Sequence, residues 1–256
     1  MTEFTSQACL TDLETQILAR EWFYEFALPS GAVTKTNAPA DVLQIHTRLH
    51  MMWQTIEPFF GARIIEATAI DVAAHEGYFS YHLARRCAQV RGLEVNPASV
   101  AAAKLIQAVF GLSNLQFIQV DLNELEPATM EPADLVLAFG IVYHLENPIG
   151  ILRKLRALTR HLLLIETQTT MLDLSGAIDW GHHLWQTPLH GIFGVVEGSP
   201  GAREGGTSNI ELVPSRNGLI WILHRLGFSR VQIVEPPPDA YHQLITGRQI
   251  MLAACV

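Results

Sequence analysis

The stretch Ala67-Thr68-Ala69-Ile70-Asp71-Val72-Ala73-Ala74-His75-Glu76-Gly77-Tyr78-Phe79-Ser80 decides the fold of this chain. It opens as a short, mostly apolar run with an acid near its end, the pattern of a buried strand. A tight turn follows, and Gly77 then opens a helical segment near Tyr78 to Cys87. The same unit repeats downstream. Strands are expected at Val90 to Val95, Leu115 to Val120, Asp134 to Phe139 and His161 to Glu166, with helices near Pro97 to Phe110 and Pro148 to Thr159. Asn96-Pro97 and Asn147-Pro148 each set a capping side chain before a proline at the first helical position. Strands and helices alternating in this way predict a doubly wound α/β domain, with a parallel sheet covered on both faces.

Working outward, Pro214 to Leu226 reads as a helix stopped by Gly227, and Arg230 to Glu235 with Arg248 to Cys255 as a C-terminal antiparallel hairpin. These strands bring the mostly parallel sheet to seven. The first sixty residues differ in character. They carry a polar helical start at Asp12 to Arg20, an aromatic segment Trp22 to Phe26 and a turn at Pro29-Ser30-Gly31, with no strand-helix repeat. Asp41 can cap a helix with Val42, Ile45, Leu49, Met52, Trp53 and Ile56 on one face, running to about Pro58. The expected organisation is an N-terminal helical extension over 1–60 and one domain over 61–256, interrupted by an insertion at about 167–213. That insertion holds Trp180, His182, His183, Trp185 and His190, then a glycine-rich run from Gly194 to Gly206. An interruption this long in a compact domain predicts a lid or binding loop.

Composition narrows the function classes. Hydrophobic residues make up 49% of the 256 and charged residues 16%, enough apolar material for a compact core. No apolar run approaches the length of a membrane span, and the N-terminus lacks the basic and apolar pattern of a signal peptide. A soluble cytoplasmic protein without membrane partner is the expectation. The net charge is −8, and the 17 Lys and Arg are scattered, so nucleic acid is a disfavoured partner. Cys9, Cys87 and Cys255 make no CxxC pair and read as reduced thiols. Oligomeric state is not legible.

In an open parallel sheet the ligand lies outside the carboxyl ends of the strands. Acids stand at three successive strand ends: Asp71, then Glu94, then Asp121-Leu122. A carboxylate at Glu94 can accept both hydroxyls of a ribose. Asp121 can meet an exocyclic amine while Leu122 packs on an adenine face. Taken singly, each acid reads as readily as a helix cap or a solvated turn. A nicotinamide dinucleotide would want a GxGxxG turn for its pyrophosphate, and Ala73 and His75 occupy two of the usual glycine places.

The succession Asp71 to Gly77, Glu94, Asp121 and Ala133-Asp134-Leu135-Val136-Leu137-Ala138-Phe139-Gly140-Ile141-Val142-Tyr143-His144-Leu145 resembles the ordered motifs of class I S-adenosylmethionine-dependent methyltransferases. The resemblance covers roughly residues 63 to 256 and implies a Rossmann-like fold and S-adenosylmethionine as cofactor. Gly140-x-x-Tyr143-His144, the Trp22 to Gly31 entry and the helix start Val213-Pro214-Ser215 are similar to a subgroup that includes the wobble-uridine carboxymethyl transferase and many bacterial methyltransferases. The resemblance implies that Asp71, Ala73 and Gly77 line the methionine end of the cofactor, that His75 belongs to the same cofactor-binding turn, and that Glu94 holds the ribose. It further implies that Asp121 and Leu122 hold the adenine, and Phe139, Gly140 and Tyr143 the sulfonium region. Two departures stand out: alanine replaces the consensus glycine at Ala73, and the Asn-Pro-Pro-Tyr element of base amino methylases is missing, with Tyr143-His144 in its place.

Methyl transfer from a sulfonium is an in-line displacement, so positioning and exclusion of water are the main tasks. Where the acceptor must lose a proton, His144 at the fourth strand end is the candidate base, with Tyr143 beside it, because imidazole ordinarily titrates near neutral pH. A histidine that merely orders the loop fits equally. Trp180, His182, His183, Trp185 and His190 are expected to wall a small organic acceptor, with a purely structural satellite cluster as the alternative. Their spacing matches no metal motif, so no metal is expected. Trp221 and Leu223 are expected in the core. A tRNA-modifying transferase, a nicotinamide-dependent oxidoreductase and an inactive cofactor-binding partner subunit remain the alternatives.

Overall fold

The computed structural model describes residues 12–37, 46–179, 186–198 and 209–256. These fall into two compact units divided between Glu124 and Leu125.

In the first unit, a short helix over residues 12–18 leads to two-residue strands β1 (Glu21–Trp22) and β2 (Lys35–Thr36), which pair in parallel. The extension thus contains a small ribbon as well as helix. Trp22 and Phe26 are buried, and the Trp22 indole donates to the Ile17 carbonyl at 2.9 Å. Helix α1 (His46–Phe60) buries Met52, Ile56 and Phe60 at four-residue spacing, together with Met51. The expected stop at Pro58 is overrun by two residues. Proline removes only one N–H from the last turn, and the buried Phe60 anchors the helix end. Asp41, Val42 and Ile45 lie outside the described residues.

Strands β3 (Thr68–Val72), β4 (Gln89–Glu94) and β5 (Leu115–Gln119) then pair in parallel, connected by α2 (Tyr78–Ala84) and α3 (Pro97–Val109). The Asn96 side chain accepts from the Ala98 N–H at 3.0 Å, as its place before Pro97 predicts.

The second unit continues with β6 (Ala133–Phe139), α4 (Pro148–Leu158) and β7 (Thr159–Gln168), the two strands running parallel. Leu135, Val136, Leu137 and Ala138 on β6 and Leu163, Leu164 and Ile165 on β7 are wholly buried, as strands covered on both faces must be. Truncating one such leucine to alanine costs about 2–5 kcal/mol. Helix α5 (Arg216–Arg225) is capped by Ser215, whose hydroxyl accepts the Gly218 N–H. Strands β12 (Arg230–Val234) and β13 (Gln249–Cys255) form the expected antiparallel hairpin, with the four-residue helix α6 (His242–Ile245) between them, and β13 pairs antiparallel with β7. The sheet has seven strands, in the order β12-β13-β7-β6-β3-β4-β5.

The described residues of the insertion carry two antiparallel strand pairs, β8 (Gly176–Asp179) with β9 (Gln186–Leu189), and β10 (Phe193–Glu197) with β11 (Ile210–Pro214). Backbone bonds tie its base down: Thr170 N–H donates to Pro214 O at 3.0 Å, and Ser215 N–H to Ile192 O at 2.8 Å. Leu223 is core, but Trp221 is 41% exposed and stacks on His190 at 4.4 Å, so only one of the two meets expectation. Cys87 and Cys255 are free thiols. Among the described residues no helix is long and apolar enough to cross a membrane.

Candidate functional site

Strand β3 hands the chain to α2 through a turn in which Ala73, His75 and Gly77 have φ of 59°, 50° and 80°. The left-handed region suits glycine, and a residue with a Cβ sits there at a cost of about 1–2 kcal/mol. Ala73 and His75 therefore occupy glycine-like positions, as the family pattern implies, and the surroundings hold them there. Ala74 N–H donates to Leu93 O at 2.9 Å and Gly77 N–H to Ala74 O at 2.8 Å.

Glu94 braces this turn. One carboxylate oxygen accepts the His75 N–H and the other the Asn96 N–H, each at 2.8 Å. Two charge-assisted bonds fix the carboxylate at 7% exposure, with lone pairs left for further donors. Asp71 is spent differently. Its Oδ2 accepts the Ser80 hydroxyl at 2.6 Å, tying the strand end to the first turn of α2. Asp71 is 1% exposed, and burial pushes its carboxyl up to about 7 against the lowering hydrogen bonds from Ser80, with repulsion from Glu94 adding to the rise. Gly77 has a packing reason beyond its φ: a Cβ there would lie 2.6 Å from Phe117 Cζ and 3.0 Å from Ala103 Cβ.

Sequence pattern did not single out Glu76. Only 8% exposed, it accepts the Phe23 N–H at 2.8 Å, and the rings of Phe23 and Tyr24 meet His75 edge-on. The aromatic entry segment is thereby clamped to the turn. At the end of β5, Asp121 folds into its own turn, accepting the Asn123 N–H at 2.8 Å, and it and Leu122 are half-buried. Val120 N–H donates to Glu94 O at 2.9 Å, which keeps the β4 and β5 ends in step.

In the second unit, β6 ends at Phe139 and Gly140 follows at φ 71°. Gly140 N–H donates to Glu166 O at 2.9 Å. A Cβ at Gly140 would lie 3.9 Å from both Glu166 Oε2 and the Tyr143 hydroxyl, so this glycine keeps a small opening between them. The next turn, Val142–His144, sets the Tyr143 and His144 rings 4.0 Å apart. His144 Nδ1 lies 2.8 Å from Glu211 Oε1, the histidine side chain 28% exposed and the glutamate 9%. The structure places Glu166 and Glu211 beside Gly140, Tyr143 and His144. Trp180, His182, His183 and Trp185 lie outside the described residues, and His190 contacts Trp221. Among the described residues no group of His, Cys, Asp and Glu has the geometry to hold a metal ion.

Residues 66–187, just under half of the chain, match the family model for a methyltransferase domain. The tRNA U34 carboxymethyltransferase of Marinobacter nauticus is 25% identical over 190 residues, covering 72% of this chain and 50% of that protein. The enzyme of the same name from Desulfotalea psychrophila is 29% identical over 110 residues, covering 41% and 33%. The matches thus span half or less of the length of these relatives. Among solved structures, the N-terminal domain of EvdMO1 in the presence of S-adenosylhomocysteine and D-fucose is similar over 100% of this chain and 97% of its own, with TM-score 0.65 and 20% identity. Magnesium protoporphyrin IX methyltransferase from Synechocystis PCC 6803 with bound S-adenosylmethionine is similar over 83% and 78%, with TM-score 0.51 and 16% identity. Its strand order and these neighbours give the chain a Rossmann-like methyltransferase fold, and residues 66–187 match a methyltransferase domain.

Proposed function

We propose that this chain binds S-adenosylmethionine and transfers its methyl group to an O–H or N–H group of a small organic acceptor. The observation that carries the reading is the left-handed turn at 73–77 braced by the buried carboxylate of Glu94. The donor set there fits the cofactor. The Glu94 carboxylate suits hydroxyls and Asp71, once ionised, suits a nearby ammonium group, whereas a dinucleotide pyrophosphate would meet negative charge at Glu94. Bound there, the cofactor supplies an electrophilic methyl group on a sulfonium.

The chain's own residues do the rest. Glu94 receives ribose hydroxyls, and the Asp121-Leu122 turn receives the adenine. Gly140 leaves room beside Tyr143, whose hydroxyl orients the acceptor. His144 takes the acceptor's proton at Nε2 as the acceptor lone pair forms the new bond to carbon and the carbon–sulfur pair stays on sulfur. Charge balances, since a sulfonium is consumed and an imidazolium appears. No protein nucleophile is needed.

The names of the matched carboxymethyltransferases make tRNA the second candidate acceptor. A net charge of −8 weighs against it, since phosphate contacts supply most nucleic-acid affinity. Formation of S-adenosylhomocysteine from S-adenosylmethionine, measured against a panel of hydroxylated and amino acceptors and bulk tRNA, tests the reading. Turnover with a small acceptor and no tRNA shift in a gel at physiological salt is expected. Submicromolar tRNA binding would replace the small acceptor, and bound nicotinamide in the purified protein would replace the cofactor.

A further inference from the structure

We propose that Glu211 is the positioning residue of His144, holding the imidazole as its Nδ1–H tautomer so that the Nε2 lone pair is the one offered to the acceptor's proton. The inference deepens the proposed function and rests on His144 being its base. The carboxylate has no donor of its own when ionised, so at 2.8 Å from Nδ1 it can only accept, and Nδ1 must carry the hydrogen. A neutral imidazole with Nδ1 protonated has its lone pair on Nε2. Glu211 is nearly covered while the ring is 28% exposed, which leaves the far side of the imidazole reachable.

Three features keep this pair in register. Leu212 N–H donates to Leu145 O at 3.0 Å, fastening β11 directly beside the turn that carries His144. Across the hairpin, Glu211 pairs with Val196, and Gly198 is the first residue after that strand ends. A Cβ at Gly198 would lie 2.9 Å from Glu211 Oε1 and 3.2 Å from its Cδ, so glycine leaves the space the carboxylate occupies. Along β11 the alternation is inverted: Ile210 is 41% exposed while Glu211 is 7% exposed. The inward carboxylate is offset by the hydrogen bond it makes to His144. The second hairpin of the insertion is thus a fixed part of the base, and the proton taken up at Nε2 is matched by negative charge at the opposite nitrogen.

Long-range 1H–15N spectra of 15N-histidine-labelled protein at about pH 8 with S-adenosylhomocysteine, assigned with His144→Gln, read the tautomer directly. The parent should show Nδ1 protonated and Nε2 bare. Glu211→Ala should move the ratio of tautomers toward Nε2–H by roughly tenfold or more, the equivalent of losing a hydrogen bond to a charged group. If Glu211→Ala does not fold, Gly198→Ala displaces the carboxylate and should shift the ratio the same way. A parent with Nε2 protonated, or a ratio unmoved in the folded variant, overturns the role of Glu211. Calorimetry on the same samples separates the two proposals: a parent that binds no S-adenosylhomocysteine refutes the proposed function, whereas binding with the wrong tautomer refutes this inference alone.

Discussion

Replacing Asp71 with asparagine should stabilise the protein at neutral and alkaline pH, even though Asp71 lies near the end of the strand that leads into the turn at 73–77. Its carboxyl is pushed from 3.8 to about 7 in the folded chain, chiefly because burial penalises the charged form. Below the unfolded value both states are protonated and Asp71 has no effect on the pH dependence. Between 3.8 and about 7 the unfolded chain releases the proton while the folded chain keeps it, so stability falls as pH rises and levels off above 7. A shift of about three pH units corresponds to roughly 4 kcal/mol, of which about 3 kcal/mol is lost between about pH 5 and pH 8.5. Asparagine keeps an oxygen to accept the Ser80 hydroxyl but has no proton to lose. Urea unfolding of parent and Asp71→Asn across that range should therefore give a stability difference that widens by about 3 kcal/mol with rising pH, while other titrating groups cancel in the subtraction. A difference that is flat with pH would show that the buried carboxyl ionises as an ordinary one. A second reading comes from calorimetry of S-adenosylhomocysteine near pH 7 in buffers of different ionisation enthalpy. The ligand's ammonium group favours the charged carboxylate, so parent binding should release protons and Asp71→Asn binding should not.

Glu94→Ala should weaken S-adenosylhomocysteine binding by roughly 2–3 kcal/mol, since it removes the ribose acceptor and frees the two backbone N–H groups that shape the turn; Glu94→Gln, which keeps one acceptor oxygen, should fall between, and calorimetry showing Glu94→Ala equal to parent would refute the site. Gly77→Ala should lower stability by about 2–4 kcal/mol, from the left-handed backbone and the close approach to Phe117 together, as read by urea midpoint. In hydrogen exchange of the ligand-free protein, amides of Phe193–Glu197 and of residues 210–213 should exchange at least about tenfold more slowly than those of Gly176–Asp179, because the second hairpin is bonded to Leu145 and Ser215 while the described faces of the first are exposed. Equal protection in both hairpins would rule out the first as the moving part of a lid.

Whether a residue was legible in the sequence depends on where its reason lies. The strand-helix alternation, the Asn-Pro helix starts and the acids at strand ends are local signals. Asn96 and Asn147 do cap their helices, with Asn147 accepting the Gly150 N–H at 3.0 Å. Ala73 and His75 were readable as substitutes for glycine because the turn's shape is set within a few residues. Glu76, Glu166 and Glu211 were not. Each has its reason in a distant partner: Glu76 in the backbone of Phe23, Glu166 in the strand pairing that places it opposite Phe139, and Glu211 in His144. Glu211 was hidden further by the inverted alternation of Ile210-Glu211-Leu212, which an amphipathic strand rule turns the wrong way round.

That inversion bears on how an insertion can change chemistry without touching the sheet. Strand ends supply a histidine at a fixed place, but an imidazole alone leaves its proton free to sit on either nitrogen. The insertion brings the missing constraint, a covered carboxylate on β11 whose strand is bonded to the carbonyl one residue past His144. The same segment that was expected to act as a lid is, over its second hairpin, tied at Thr170, Leu145 and Ser215, and cannot swing away without breaking the contact that orients the base. Any closing motion over the acceptor therefore has to come from the first hairpin, which is why the exchange rates of the two hairpins, measured separately, bear on the mechanism as directly as any substitution at His144.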